Sequence, residues 1–252
     1  MKINPLIIII GAYGSGKSEY AINLAKKYKL SNKQQEDLLV SLVDMDIVNP
    51  YFRSRDVREE FAKEGIEVVA PEGHFSHADL PMLSPKIKGV INDYSKAVFL
   101  DVGGDPAGCR VLARFSDDIK QRGYEMHFVI NTKRPFTSDY YDIINMKTML
   151  ETTAKLKVTE LICNTNLMQF TTLEIVTEGI KTIQEVANNE NLLFDKYLVL
   201  ENKQTEHQFD KDSTGKISDT KIDFPEMLMG KKKIVLEYFL KKPWDTLYSK
   251  GI

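Results

Sequence analysis

The stretch that decides the fold is Leu6-Ile-Ile-Ile-Ile10 followed by Gly11-Ala-Tyr-Gly-Ser-Gly-Lys-Ser18. Its second half fits the pattern G-x-x-x-x-G-K-[ST] in full. An apolar run of strand length precedes the pattern and an amphipathic segment follows it, which is the strand–loop–helix setting that the motif requires. We call residues 11–18 the phosphate loop, because its glycines let successive backbone N–H groups turn toward phosphate oxygens.

Along the rest of the chain, apolar runs of strand length alternate with longer segments of helical pattern. Seven strands are predicted: Leu6–Ile10, Leu38–Val43, Ile66–Ala70, Ala97–Val102, His127–Ile130, Glu160–Cys163 and Lys196–Leu200. Five helices are predicted: Ser18–Tyr28, Ser54–Glu64, Ala107–Gln121, Asp139–Lys155 and Thr172–Asn188. Most of the runs are continuous Ile, Val and Leu, as in strands buried on both faces of a sheet. The sequence therefore predicts an α/β fold with a doubly wound, mostly parallel sheet of about seven strands flanked by helices.

Two stretches interrupt this alternation. Residues 71–90 carry three prolines and are predicted as a loop with room for one short helix. Residues 202–230 are polar, and they form either a flexible surface excursion or an insertion over the active site. We expect a core over residues 1–202, with the polar excursion and a C-terminal element at 203–252 packed on the same domain.

Composition and charge exclude several function classes. The 252 residues include 34 Lys and Arg against 36 Asp and Glu, a net charge of -2, which argues against a protein whose main task is wrapping nucleic acid. Two cysteines, Cys109 and Cys163, are too few for a disulfide scaffold and indicate a cytosolic chain. No apolar run approaches the ~20 residues of a membrane span. We expect a cytoplasmic protein that binds neither nucleic acid nor membrane.

The phosphate loop predicts a nucleoside triphosphate site. Lys17 would reach the β- and γ-phosphates, and the Ser18 hydroxyl would ligate Mg²⁺. The residues expected to bind the nucleotide are Gly11, Tyr13, Gly14, Ser15, Gly16, Lys17, Ser18 and Glu19.

Acidic residues end two further predicted strands. Asp101 follows four apolar residues, so we expect it at the carboxyl edge of the sheet, where it would hold Mg²⁺ directly or through water. Asp44 and Asp46 end the second strand and point to the same side. We favour Asp46 as the catalytic carboxylate and as part of the metal site. Asp105 precedes Pro106 and either caps a helix or takes part in catalysis.

Taken together, these residues resemble the MinD/ParA/CobQ branch of the P-loop NTPases, a SIMIBI-like group that includes the nickel-insertion ATPase of carbon monoxide dehydrogenase. The resemblance rests on the phosphate loop, on Asp44-Met-Asp46 and on Asp101-Val-Gly-Gly-Asp-Pro106, and it covers roughly residues 1–200. More narrowly, Asp44-Met-Asp-Ile-Val-Asn-Pro-Tyr-Phe-Arg53 is similar to a group of bacterial ATP-binding proteins in that branch.

This resemblance implies ATP as the nucleotide and Mg²⁺ as the cofactor. It also implies that the carboxylate at Asp46 orients the hydrolytic water and that Asn164 contacts the adenine. Ala12 stands where the branch usually carries a second lysine that reaches across a dimer. A homodimer is therefore left open rather than carried over from the resemblance.

Three function classes remain open. A regulatory or energy-coupling ATPase, which we favour, would switch the loops around Asp46 and Asp101, and a protein partner would read the change. A small-molecule kinase or ATP-dependent synthetase would use the same loop to transfer the γ-phosphoryl group. Its acceptor pocket would be formed by residues 71–90, Arg53, Arg55 and Lys133. A non-catalytic nucleotide-binding scaffold is the third class.

Overall fold

The computed structural model describes residues 4–32, 34–35, 38–45, 58–70, 80–200 and 223–239, in which strands alternate with helices. The strands are β1 Leu6–Ile10, β2 Leu39–Asp44, β3 Ile66–Val69, β4 Lys96–Asp101, β5 Glu125–Ile130, β6 Glu160–Cys163, β7 Leu193–Leu200, β8 Met227–Leu228 and β9 Lys231–Leu236. The helices are α1 Lys17–Ser31, α2 Arg58–Lys63, α3 Leu80–Asn92, α4 Pro106–Ala113, α5 Ser116–Arg122, α6 Tyr140–Ala154 and α7 Leu173–Glu190.

The described strands form one sheet in the order β3-β2-β4-β1-β5-β6-β7-β9-β8. All neighbours are parallel except β8, which runs antiparallel to β9. The predicted α/β fold with a mostly parallel sheet is confirmed, with nine strands in the described residues instead of about seven. The two additional strands, β8 and β9, come from segments that lack a long apolar run, so periodicity gave no signal for them.

Apolar side chains on the two faces of the sheet form two separate cores. Ile8 and Ile10 of β1 belong to the core beneath α3 to α7, whereas Ile7 and Ile9 belong to the core beneath α1 and α2. This alternation follows from the two-residue period of a strand. Among the described helices, none combines the length and the apolar character needed to cross a bilayer.

Two of the helix predictions were wrong in part. The predicted helix Ala107–Gln121 is broken into α4 and α5 at Arg114 and Phe115. The second half of the predicted loop 71–90 is helical, since α3 runs through Pro85, while residues 71–79 lie outside the described residues. The described part of the predicted helix Ser54–Glu64 is α2.

At the amino end of the sheet, the buried side chain of Arg122 binds several segments of the chain. The guanidinium of Arg122, at the end of α5, donates to five backbone carbonyl oxygens at 2.5–3.2 Å. These oxygens belong to Val90, Ile91, Asp93, Asn4 and Lys96. They lie in α3, in the turn that follows it, just before β1 and at the start of β4. One side chain therefore holds together the segments that enter two central strands.

We expect Arg122→Met to lower the free energy of unfolding by about 3 kcal/mol, because buried carbonyl groups would lose a charged donor. Urea denaturation followed by circular dichroism measures the change. The matched control is Lys120→Met, which removes an exposed cation from the same helix and should change stability by less than about 0.5 kcal/mol. Equal stability of the two variants would contradict this account of Arg122.

Candidate functional site

The phosphate loop joins β1 to α1 at the centre of the sheet. Gly14 and Gly16 adopt φ values of 74° and 84°, a left-handed conformation that glycine adopts without strain. The Ser15 N–H donates to the Ala12 carbonyl at 3.0 Å, which closes the turn, and α1 begins directly afterwards at Lys17. The first N–H groups of α1, which have no partner inside a helix, therefore lie beside the loop.

Glycines in and beside the phosphate loop are required for a second reason, because there is no space for a side chain at these positions. A Cβ on Gly11 would overlap the Val129 carbonyl oxygen, and a Cβ on Gly16 would overlap the side-chain amide of Asn164. A Cβ on Gly104, in the loop that follows β4, would overlap the Gly11 carbonyl oxygen. The phosphate loop is thus in close contact with three other segments, which contain Gly104, Val129 and Asn164.

The loops that follow β5 and β6 hold the phosphate loop in place through asparagine side chains. Asn164 Nδ2 donates to the Ser15 carbonyl at 2.6 Å. Asn166 Nδ2 donates in turn to the Asn164 carbonyl at 2.7 Å, and Asn131 Oδ1 accepts from the Asn166 N–H at 3.2 Å. Asn164 was predicted as an adenine contact, and that role stays a prediction. Its amide group here stabilises the loop, a role that the sequence analysis missed for all three asparagines.

Two buried carboxylates lie at the carboxyl ends of neighbouring strands. Asp44 of β2 and Asp101 of β4 stand opposite each other in register and are 2% and 0% exposed. The nearby side chains of Lys17 and Ser18 at the start of α1 are also buried. Buried charges in proteins are paired or coordinate metals, and hard cations prefer oxygen ligands. The oxygens of Ser18, Asp101 and Asp44 therefore suit Mg²⁺, whereas the predicted Asp46 lies outside the described residues.

The buried Ser15 hydroxyl adds a further observation that fits a ligand in the loop. Its side chain is 1% exposed, and among the described residues its oxygen has no hydrogen-bond partner. A buried hydroxyl without a partner is costly unless a ligand or water satisfies it. A phosphate cradled by the loop fits this residue and the glycines around it.

Asp105 has a structural role. Its Oδ1 accepts from the Gly108 N–H at 2.8 Å, and Pro106 occupies the first position of α4. This geometry caps the helix and fixes the end of the loop that begins at Asp101. Of the two interpretations left open for Asp105, the structure supports capping.

A cleft of about 160 Å³ opens beside the phosphate loop. Its lining residues are Tyr13, Gly14, Gly16, Lys17, Ser18, Glu19, Arg134, Asn164, Asn166, Met168, Leu200, Leu236 and Tyr238. The structure thus brings together seven of the predicted site residues along one cleft, while Gly11 and Ser15 are buried in the loop. Glu19 also accepts a hydrogen bond from the Phe239 N–H at 3.0 Å. The sequence analysis missed five lining residues whose only signal is their place at or after strand ends: Asn166, Met168, Leu200, Leu236 and Tyr238.

A separate charged cluster lies on the sheet, on the face that α1 covers. Glu125, His127 and Glu160 place their ligand atoms within 4.8 Å of one another. His127 Nε2 lies 3.2 Å from both Glu125 Oε2 and Glu160 Oε2, and its Nδ1 lies 3.1 Å from the Tyr20 hydroxyl. Lys196 forms an ion pair with Glu160. Burial nonetheless raises the pKa of the Glu160 carboxyl above its usual value. The ion pairs within this cluster explain its geometry, and we assign it no metal.

We expect Gly104→Ala to lower the free energy of unfolding by about 2 kcal/mol, because the new methyl group would displace two backbone segments. The matched control is Gly89→Ala, since Gly89 is exposed on α3 and a Cβ there would meet no atom within 4 Å. This control should stabilise the protein by about 0.5–1 kcal/mol. Thermal unfolding of the two variants measures the contrast, and equal melting temperatures would contradict the close packing at Gly104.

Comparison with known proteins gives a likeness of fold. No family model and no curated protein matches the chain. Two crystal structures of FtsY from Mycoplasma mycoides match 79% of it at 15% identity and a TM-score of 0.51. The signal recognition particle receptor FtsY from Elizabethkingia anophelis, in complex with GDP, matches 79% at 16% identity and a TM-score of 0.49. The chain spans 61%, 62% and 58% of these structures. The Mycoplasma likeness shows the α/β fold, whereas membership of the MinD/ParA/CobQ branch stays a prediction.

Proposed function

We propose that this chain is a Mg²⁺-dependent P-loop NTPase that binds and hydrolyses ATP as a regulatory or energy-coupling switch. The observation that carries the proposal is the meeting of the phosphate loop with two buried carboxylates, Asp44 and Asp101, at one edge of the sheet. Backbone donors and a lysine suit the phosphates, and carboxylates suit the metal ion that accompanies them.

In this proposal the loop binds the phosphates mainly through its backbone. The N–H groups from Gly14 to Ser18 and the positive end of the α1 dipole face the bound anion. Lys17 adds a cation for the β- and γ-phosphates. Ser18 and Asp101, with Asp44 beside them, would hold Mg²⁺, which supplies charge neutralisation for the phosphate oxygens.

Hydrolysis forms a bond between a water oxygen and the γ-phosphorus while the bond to the bridging β–γ oxygen breaks. The proton of the water leaves with the released phosphate, and Asp46 is the residue that we expect to orient the water. Gly104 lies against the Gly11 carbonyl, so the loop after Asp101 contacts the phosphate loop directly. Loss of the γ-phosphate would therefore change the packing of this loop, which is the switch that a partner would read.

The described lining of the cleft supports adenine rather than guanine as the base in this proposal. Guanine presents an N–H and an amino group side by side, a pair of donors that suits a carboxylate acceptor. Among the described residues of the lining, Glu19 is the only carboxylate, and its oxygens accept from the Phe239 N–H.

Exposed apolar side chains near the mouth of the cleft support a protein partner. Tyr13, in the phosphate loop, is 72% exposed, and Phe136, in the loop after β5, is 71% exposed. These two loops touch, since Arg134 packs against Gly14. Phe136 also has a φ of 68°, a strained value for a large residue, and such strain is concentrated at functional sites.

The kinase or synthetase alternative gains no support from the described residues. Of the residues predicted for its acceptor pocket, Lys133 is paired with Glu178 at 3.0 Å, and Arg53, Arg55 and residues 71–79 lie outside the described ranges. The non-catalytic scaffold is an outcome of the experiments below, because it would bind Mg·ATP without releasing phosphate.

We expect Lys17→Ala to weaken Mg·ATP binding by roughly 10–100-fold, because a buried charged contact to the phosphates is lost. Isothermal titration calorimetry measures the affinity, with Mg·GTP titrated in parallel to test the preference for adenine. Lys181→Ala removes an exposed cation on α7 and should leave both affinities unchanged. Wild-type affinity in the Lys17 variant would contradict the proposal.

We expect Asp46→Asn to bind Mg·ATP with wild-type affinity but to reduce phosphate release by at least about 100-fold, since a neutral amide is a weaker hydrogen-bond acceptor than a carboxylate for orienting the attacking water. Calorimetry and a phosphate-release assay on the same sample separate binding from turnover. Unchanged release would reject Asp46 as the catalytic carboxylate. Binding without release in the wild type would indicate the scaffold.

A further inference from the structure

The cleft has a polar end at the phosphate loop and an apolar end at the far strands. Leu200 ends β7 and stands in register with Leu236, which ends β9. Three strand steps separate β1 from β7, a distance of about 14 Å across the sheet at the usual strand spacing. The cleft thus spans a distance comparable to an extended nucleoside triphosphate whose phosphates lie at the loop.

After β9 the chain crosses back to α1, and we call this segment, Glu237–Phe239, the strap. The Asn23 side chain binds the strap through two bonds, from Nδ2 to the Glu237 carbonyl at 2.9 Å and from the Glu237 N–H to Oδ1 at 2.8 Å. These are the bonds that the backbone of a neighbouring strand would make. The strap is therefore attached to the helix that begins in the phosphate loop.

The other end of the strap is held by different contacts. The Phe239 N–H donates to Glu19 on the first turn of α1. The centre of the Phe239 ring lies 5.8 Å from the centre of the buried Phe61 ring. The Lys26 ammonium lies 4.8 Å from the centre of the Phe239 ring. Both residues that flank Tyr238 are thus fixed to α1 and α2.

Tyr238 itself lines the cleft at its apolar end, together with Leu200 and Leu236. A half-buried tyrosine that is held by its neighbours loses little further side-chain freedom when a ligand packs against it. Aromatic rings bind nucleobases by stacking, and this interaction tolerates any base. The tyrosine, the two leucines and Met168 line the same cleft and offer apolar surface against which a base can pack.

We infer that Tyr238 contacts the nucleobase, and that the strap, fastened to α1 by Asn23 and Glu19, forms the wall of the base subsite. The inference rests on the proposed function, since it places one end of the same nucleotide. It assigns base contact to the C-terminal part of the chain, whereas the sequence analysis expected it from Asn164.

Tyr238→Ala should weaken Mg·ATP binding by roughly tenfold or more, because a stacking contact is lost. Inorganic tripolyphosphate, which has the phosphates but no base, should bind to this variant and to the wild type with the same affinity. Tyr238→Phe should retain the wild-type ATP affinity. Tyr141→Ala, which removes an exposed aromatic side chain from α6 outside the cleft lining, is the matched control and should change neither affinity. Calorimetry measures all four proteins.

The outcomes separate the two proposals. Wild-type ATP affinity in Tyr238→Ala, or an equal loss for ATP and tripolyphosphate, overturns the base contact and leaves the proposed function intact. A wild-type protein that binds neither ligand overturns the proposed function and the inference with it.

Asn23→Ala tests the strap. It should lower the affinity for ATP severalfold and spare that for tripolyphosphate, because the wall of the base subsite would lose its attachment. Asn32→Ala is the matched control, since Asn32 donates to the Tyr28 carbonyl at the far end of the same helix. Unchanged ATP affinity in Asn23→Ala would contradict the role of the strap.

Discussion

The carbonyl oxygen of Gly11 occupies the space that a side chain on Gly104 would need, and the site depends on this approach of two backbones. The two loops follow the neighbouring strands β1 and β4, so the sheet itself brings them together. With no side chain between them, a shift in one loop must move the other, since close-packed groups transmit displacement. In the proposed function, the loop that begins at Asp101 would respond through this contact to the occupant of the phosphate loop.

Local sequence signals predicted the parts of the fold that depend on neighbouring residues. The phosphate loop was predicted from its spacing, and the strands from their apolar runs. The break between α4 and α5 gave no such signal, because Val111, Leu112, Phe115 and Ile119 keep helical spacing across it and are buried in one core. The length of α3 was underestimated, because the prolines of residues 71–90 left room only for a short helix. Pro85 removes an N–H donor, yet the surrounding helix tolerates it.

The contacts that shape the site join residues that are far apart in sequence, which is why the sequence analysis missed them. The bond between Asn164 and the Ser15 carbonyl spans 149 positions, and the bonds between Asn23 and Glu237 span 214. No periodicity or motif relates such partners. The rule that strand ends meet at one edge of a parallel sheet did place Asp44 and Asp101 together, because that rule is itself long-range.

The two ends of the sheet perform different tasks. At the amino end Arg122 binds five carbonyl groups and fixes the segments that enter the central strands. At the carboxyl end, Asn131, Asn164 and Asn166 link the loops that follow β5 and β6 to the phosphate loop. The strap follows β9, which pairs with β7, and it returns the chain to α1 through Asn23. The strap side of the cleft therefore depends on the last described strand of the sheet, whereas the phosphate loop lies between the first strand and the first turn of the first helix.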